Sequence, residues 1–207
     1  MLSGPRVDIY VGPKKKHYQL PKLLLRYYSP ILGKCFNGSF EEARTQTLEL
    51  PKDDINHFEL LFERIMSGSF SGNSKESVKT WNVEECISFI QYTLKYGLGD
   101  VGGYLICNRM QILYGKDCPL EPGVIELVFK AVPPGYELRS VIAQAAICQD
   151  GVCGHGIGKY REQEENVDGF AQEVLLQLRQ HMFSWKWYSP VSARYLEFAQ
   201  DPIVGWE

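Results

Sequence analysis

Two thiols and an imidazole fall within Cys148-Gln149-Asp150-Gly151-Val152-Cys153-Gly154-His155, and soft sulfur and nitrogen donors of this kind hold zinc. The spacing argues against it. Four residues separate the cysteines rather than two, no second ligand pair follows, and Cys148 ends an apolar run in which a buried thiol is the ordinary state. Directly after it, Gly154-His155-Gly156-Ile157-Gly158-Lys159 resembles a phosphate-cradling loop, but the Walker spacing fails and Tyr160 stands where a magnesium-binding hydroxyl belongs. A solvated loop between helices is the expectation, so neither cofactor nor metal is assigned. The histidines His17, His57, His155 and His181 lie in different elements, and none stands beside a Ser or Cys nucleophile in a known signature. No catalytic residue is assigned, and Asp8, inside a strand, reads as a polar-face carboxylate.

What remains is chemistry of contact rather than of bond making. Trp185, Trp187 and Tyr188 form an aromatic cluster of the type that anchors interfaces, although the apolar area of such rings serves a domain core equally well. Lys14-Lys15-Lys16 falls on an expected hairpin tip, where charge solvates the turn and discourages strand association. A nucleic-acid role needs more basic residues and more stacking platforms than His17 and Tyr18 supply.

Bulk composition points the same way. The 207 residues are 44% hydrophobic, enough to build a core, and 22 basic against 25 acidic residues give a net charge of -3 with no field for phosphate backbones or anionic lipid. No stretch reaches the roughly 18 apolar residues of a membrane span, and the first residues lack a secretory pattern. A cytoplasmic or nuclear protein, with its six cysteines reduced, is the expectation.

The elements that must position these residues fall into two groups. Alternation in Val7–Val11, a break at Gly12-Pro13, and renewed extension at His17–Leu20 predict two strands around a turn. Pro21 opens a short helix through Tyr28, Ser29-Pro30 punctuates it, and a second helix runs from Ile31 to Phe36. Thr45–Leu50 reads as a third strand ended by Pro51, and Ile55, Phe58, Leu61, Ile65 and Met66 recur at helical spacing behind a cap at Asp53 or Asp54. The Gly/Ser-rich segment 71–81 reads as a linker, dividing an α+β unit, residues 1–70, from an all-helical extension, residues 82–207. In that extension helices are expected at 82–96, 101–114, 121–131, 137–148 and 166–183, with no strand.

Within residues 6–67, Val7-Asp8-Ile9-Tyr10-Val11-Gly12, Leu23-Leu24-Leu25 leading to Ser29-Pro30, Phe36-Asn37-Gly38 with Phe40-Glu41-Glu42-Ala43, and Leu48-Glu49-Leu50 followed by Phe58 and Leu61 resemble a BTB/POZ domain. The family's usual His-Lys pair ahead of the leucine-rich helix is here Leu20-Pro21-Lys22, so only Lys22 keeps that pattern. The helical remainder, with Pro133-Pro134-Gly135, is similar to the BACK-like extensions of filamentous-fungal members.

The resemblance implies a three-stranded sheet flanked by helices, a non-enzymatic protein-protein interaction adaptor, and other proteins as partners. In members that bind cullins, a hydrophobic residue, any residue and a glutamate precede the third strand, and Phe40-Glu41-Glu42 matches in position and type. That makes Phe40 and Glu42 the candidate partner-binding residues and a substrate adaptor of a cullin-RING ubiquitin ligase the narrower alternative. In physical terms, an aromatic ring fills a partner pocket while the carboxylate accepts hydrogen bonds at its rim. The plainer alternative packs Phe40 on its own short helix. Because only six residues precede Val7, a monomer or non-swapped dimer is expected. A nucleotide-binding protein or enzyme using residues 154–159 is the reading from a different class.

Overall fold

The computed structural model describes residues 4–99, 103–114, 119–149, 158–182, 186–189 and 194–197. It is an α+β chain in two compact units, Met1–Ile106 and Cys107–Glu207.

In the first unit, β1 (Arg6–Val11) turns Val7, Ile9 and Val11 to one fully buried face, as its alternation requires. Strand β2 (Lys16–Pro21) pairs antiparallel with it, Arg6 opposite Pro21, and β3 (Thr47–Leu50) pairs parallel on its other side, Asp8 opposite Thr47. The sheet order is therefore β2-β1-β3. Gly12 leaves β1 at φ +72°, donates its amide to the Leu50 carbonyl at 2.9 Å and accepts from the Lys15 amide at 3.0 Å. A Cβ there would lie 2.9 Å from Ile55 Cγ1, so both conformation and space call for glycine.

Three short helices separate β2 from β3: α1 (Lys22–Tyr28), α2 (Pro30–Asn37) and α3 (Glu41–Thr45). Ser29 divides the first two. It is fully buried, caps α2 by accepting from the Leu32 amide at 2.9 Å, and donates to the Tyr96 carbonyl at 2.5 Å, while Pro30 fills the first helical position. Helix α4 (Ile55–Ser67), capped by Asp54 and closed by Gly68 in the left-handed region, lays Phe58, Leu61 and Ile65 on the core of Val7, Ile9, Leu20, Leu25 and Phe36. Helices α5 (Gly72–Val78), α6 (Val83–Lys95) and α7 (Gly103–Leu113) follow, α6 behind a capping box of Asn82 and Glu85. The change of unit falls within α7.

The second unit comprises α8 (Pro122–Ala131), α9 (Glu137–Ile147), α10 (Arg161–Asn166), α11 (Phe170–Met182) and a hairpin of β4 (Lys186–Ser189) with β5 (Arg194–Glu197). Buried Arg139 donates to the Phe129 and Val132 carbonyls at 2.6 and 2.7 Å, satisfying the end of α8. Phe129 and Phe170 meet edge to face at 5.2 Å. Gln144 Nε2 donates to Gln177 Oε1 at 2.6 Å and Ser140 to Glu173 at 2.8 Å, joining α9 to α11.

Three expectations need correction. The extension is not all helical, because β4 and β5 pair; Trp187-Tyr188 and Tyr195-Leu196 carry the aromatic strand preference that a helical reading of this segment overlooked. The segment 71–81 is not a bare linker, because Ser71 caps α5, Glu63 accepts from the Ser71 amide and the Ser74 hydroxyl, and Val78 and Trp81 are buried. The helix expected over 166–183 starts only at Phe170, as α11; Asn166 instead ends the separate short helix α10, and Gly169 between them holds a φ of +80° that suits glycine without strain.

Candidate functional site

Helices α1 and α2 approach closely because Gly33 has no side chain: a Cβ there would lie 3.1 Å from the Arg26 Cα. Their inner faces bury Leu24, Leu25, Leu32 and Phe36, which leaves Leu23, Arg26, Tyr27, Pro30, Ile31, Lys34 and Asn37 outward at helical spacing. Three of the outward residues are large and apolar, Tyr27 being 70% exposed. With Phe40 they are the large apolar side chains that this part of the chain leaves exposed.

Phe40 stands at the start of α3 with extended backbone and is 59% exposed. Its ring lies beside Gly38, where an added Cβ would come within 3.2 Å of Phe40 Cδ2. An open groove of about 650 Å³ runs from Arg26 and Pro30 past Gly33, Lys34 and Asn37 to Phe40. Glu42, one helical step behind Phe40, is half-buried. Burial first, and then the Glu42 charge, push the Cys35 thiol above its ordinary range, so Cys35 is a poor nucleophile. Glu41 accepts from Arg44 at 3.3 Å, an exposed pair. Helix α3 ends at Gln46 in the left-handed region, where the Gln46 amide caps the Ala43 carbonyl and reaches the Phe36 carbonyl at 3.3 Å, fixing the rim to α2.

The groove is cationic. Arg26 and Lys34 line it, no carboxylate lines it, and neither cation has an acidic partner among the described residues. The hairpin lysines differ, since Lys15 pairs with Glu49 at 2.9 Å and Lys16 with Glu59, which also accepts from the Tyr18 hydroxyl at 3.0 Å. Those pairs tie the turn to the sheet and to α4. His17 Nε2 lies 2.7 Å from Asp8 Oδ1 on the polar sheet face, and the His17 ring stacks on Tyr10 at 4.9 Å.

A second cluster went unread in the sequence. Asp53 and Asp54 look interchangeable as caps, yet Asp54 caps α4 whereas Asp53 is buried and accepts from the Tyr96 hydroxyl and from Lys95 at 2.8 Å. Burial and the Asp53 carboxylate hold the Tyr96 phenol far above its ordinary range. The buried Tyr92 hydroxyl beside them makes no hydrogen bond among the described residues. His57 meets the rings of Trp81, Phe89 and Tyr92 at 5.5 to 5.7 Å, and burial lowers its pKa despite the opposing charges of Asp54 and Glu85. Only the tertiary approach of α4 and α6 brings these groups together.

The remaining candidates scatter. Cys148 is buried, whereas Cys153 and His155 lie outside the described residues. Of the glycine-rich segment, Gly158 and Lys159 are described; Lys159 Nζ reaches Gln149 Oε1 at 3.4 Å and lies 4.9 Å from the Tyr160 ring. The Tyr160 hydroxyl donates to the Leu120 carbonyl at 2.8 Å, and Gln149 Oε1 accepts from the Leu120 amide at 2.7 Å, a buried network that closes the second unit. Trp187 and Tyr188 belong to β4, while Trp185 and the side chains of all three fall outside the described structure. Among the described residues no helix is long and apolar enough to cross a membrane, and no three His, Cys, Asp or Glu gather as a metal would need. No protein-family model matches this sequence, and comparison with curated proteins yields no match.

Proposed function

We propose that this chain is a non-enzymatic protein-protein interaction adaptor, with a BTB/POZ-type first unit that docks partners through the rim at Phe40 and Glu42. The single observation that carries the reading is the 59% exposure of an aromatic ring held at the mouth of a groove, with a half-buried carboxylate two residues on. A phenyl ring has only two side-chain torsions to fix when a partner covers it, so it gives a large contact area at a small entropic cost. The sheet order β2-β1-β3, with antiparallel and then parallel pairing around a leucine-rich helix pair, agrees with the resemblance in residues 6–67.

The position of Phe40-Glu41-Glu42 ahead of β3 favours the narrower reading as a cullin-RING substrate adaptor. Its test is a binding titration of the full chain with a purified cullin amino-terminal domain. Phe40→Ala with Glu42→Lys should weaken the complex by about 2 to 4 kcal/mol, the range of an interface anchor and its rim charge. If the wild-type chain does not bind, the cullin reading is withdrawn. Capture of partners from extract by the wild-type chain beside the double variant then tests the broader one, because equal recovery of every partner would remove the rim from the function.

A further inference from the structure

We infer that the α1–α2 groove receives an acidic segment of a partner protein, whose carboxylates pair with Arg26 and Lys34 while an apolar side chain lies between Pro30 and Phe40. The inference rests on the adaptor reading and adds the chemistry of what is adapted. Four observations converge on it. Both cations line the groove without an acidic partner among the described residues, and no carboxylate shares the lining. Gly33, Gly38 and Ser39 keep the floor free of bulk between them, so an approaching chain reaches both charges. Its volume of about 650 Å³ suits a few side chains rather than a small cofactor held on all sides. Tyr27 and Ile31 are exposed apolar side chains on the same two helices, and the exposed Glu41 beyond Phe40 is already engaged by Arg44 rather than by the groove cations.

Charge complementarity selects this occupant over a neutral apolar helix, because bare cations beside a low-polarity surface lose hydration on contact and need carboxylates to replace it. A second copy of the chain would have to present an acidic, apolar-flanked segment to the same groove, and sedimentation tests for it.

The experiment is selection of short random peptides displayed on phage against the full chain, followed by titration of the most enriched peptide. The enriched sequences should carry two or more Asp or Glu residues flanking a Leu, Phe or Tyr. Binding should weaken as salt rises, and Arg26→Glu with Lys34→Glu should lower affinity by about tenfold or more, as two attractive contacts turn repulsive. The same double variant, whose exposed substitutions leave the core untouched, should enrich basic peptides when the selection is repeated. Its far-ultraviolet dichroism should match that of the wild-type chain.

Neutral or basic peptides from the wild-type chain, no enrichment, or a dimer that sediments at micromolar concentration and is lost in the double variant would each overturn the inference. The adaptor reading fails separately. A protein partner that needs Phe40 and Glu42 but binds the Arg26→Glu, Lys34→Glu chain at full strength overturns the groove assignment and leaves the adaptor standing.

Discussion

Single residues set the most direct expectations. His57 sits among Trp81, Phe89 and Tyr92, and burial holds its pKa below the ordinary imidazole value. Above that ordinary value the group is neutral whether folded or unfolded and has no effect on pH dependence. As pH falls through it the unfolded chain takes up the proton first, so stability drops until the depressed folded value is passed and then levels off. His57→Phe should flatten that acid slope in urea titrations between pH 7 and 5; an unchanged slope would assign it to other groups. Asp53 gives a second expectation. Asp53→Ala leaves the Tyr96 hydroxyl buried without its acceptor and should cost about 2 to 4 kcal/mol, while Tyr96→Phe, which removes the donor instead, should cost about 1 kcal/mol. Equal losses from the two would mean that the bond is not what holds Asp53 in place.

At the level of elements, the contact between α1 and α2 depends on a missing side chain. Gly33→Ala puts a Cβ 3.1 Å from the Arg26 backbone, which cannot yield as a side chain tip does, so the helices must part. A loss of about 1 to 3 kcal/mol in unfolding free energy is expected, the range for overpacking a close contact, and the groove should change with it. Elements governed by local rules were legible. The alternation of Val7, Ile9 and Val11, the cap and apolar spacing of α4, and the Asn82 start of α6 are written within a few residues of where they act. Elements governed by distant partners were not. Helix α5 needs Glu63 from α4 to hold its start, and β4 needs β5, so the Gly/Ser content of one and the helical surroundings of the other misled. The candidate site divides the same way: Phe40 and Glu42 are visible as a motif, whereas the placing of Arg26 and Lys34 on one groove depends on how closely Gly33 lets their helices approach.

For the whole molecule, the parallel pairing of β1 with β3 has a consequence in time. Asp8 meets Thr47 across a loop of nearly forty residues that contains α1, α2 and α3, whereas β1 and β2 close through a tight hairpin. Closing a long loop costs chain entropy before its contacts reward it, so the hairpin can assemble early and the third strand joins late. Until it does, the Asp8 amide lacks the Gln46 carbonyl that accepts from it, so the end of α3 has no tie to β1. On the adaptor reading proposed above, a partner that needs the finished rim would then bind only chains in which this unit has completed its folding.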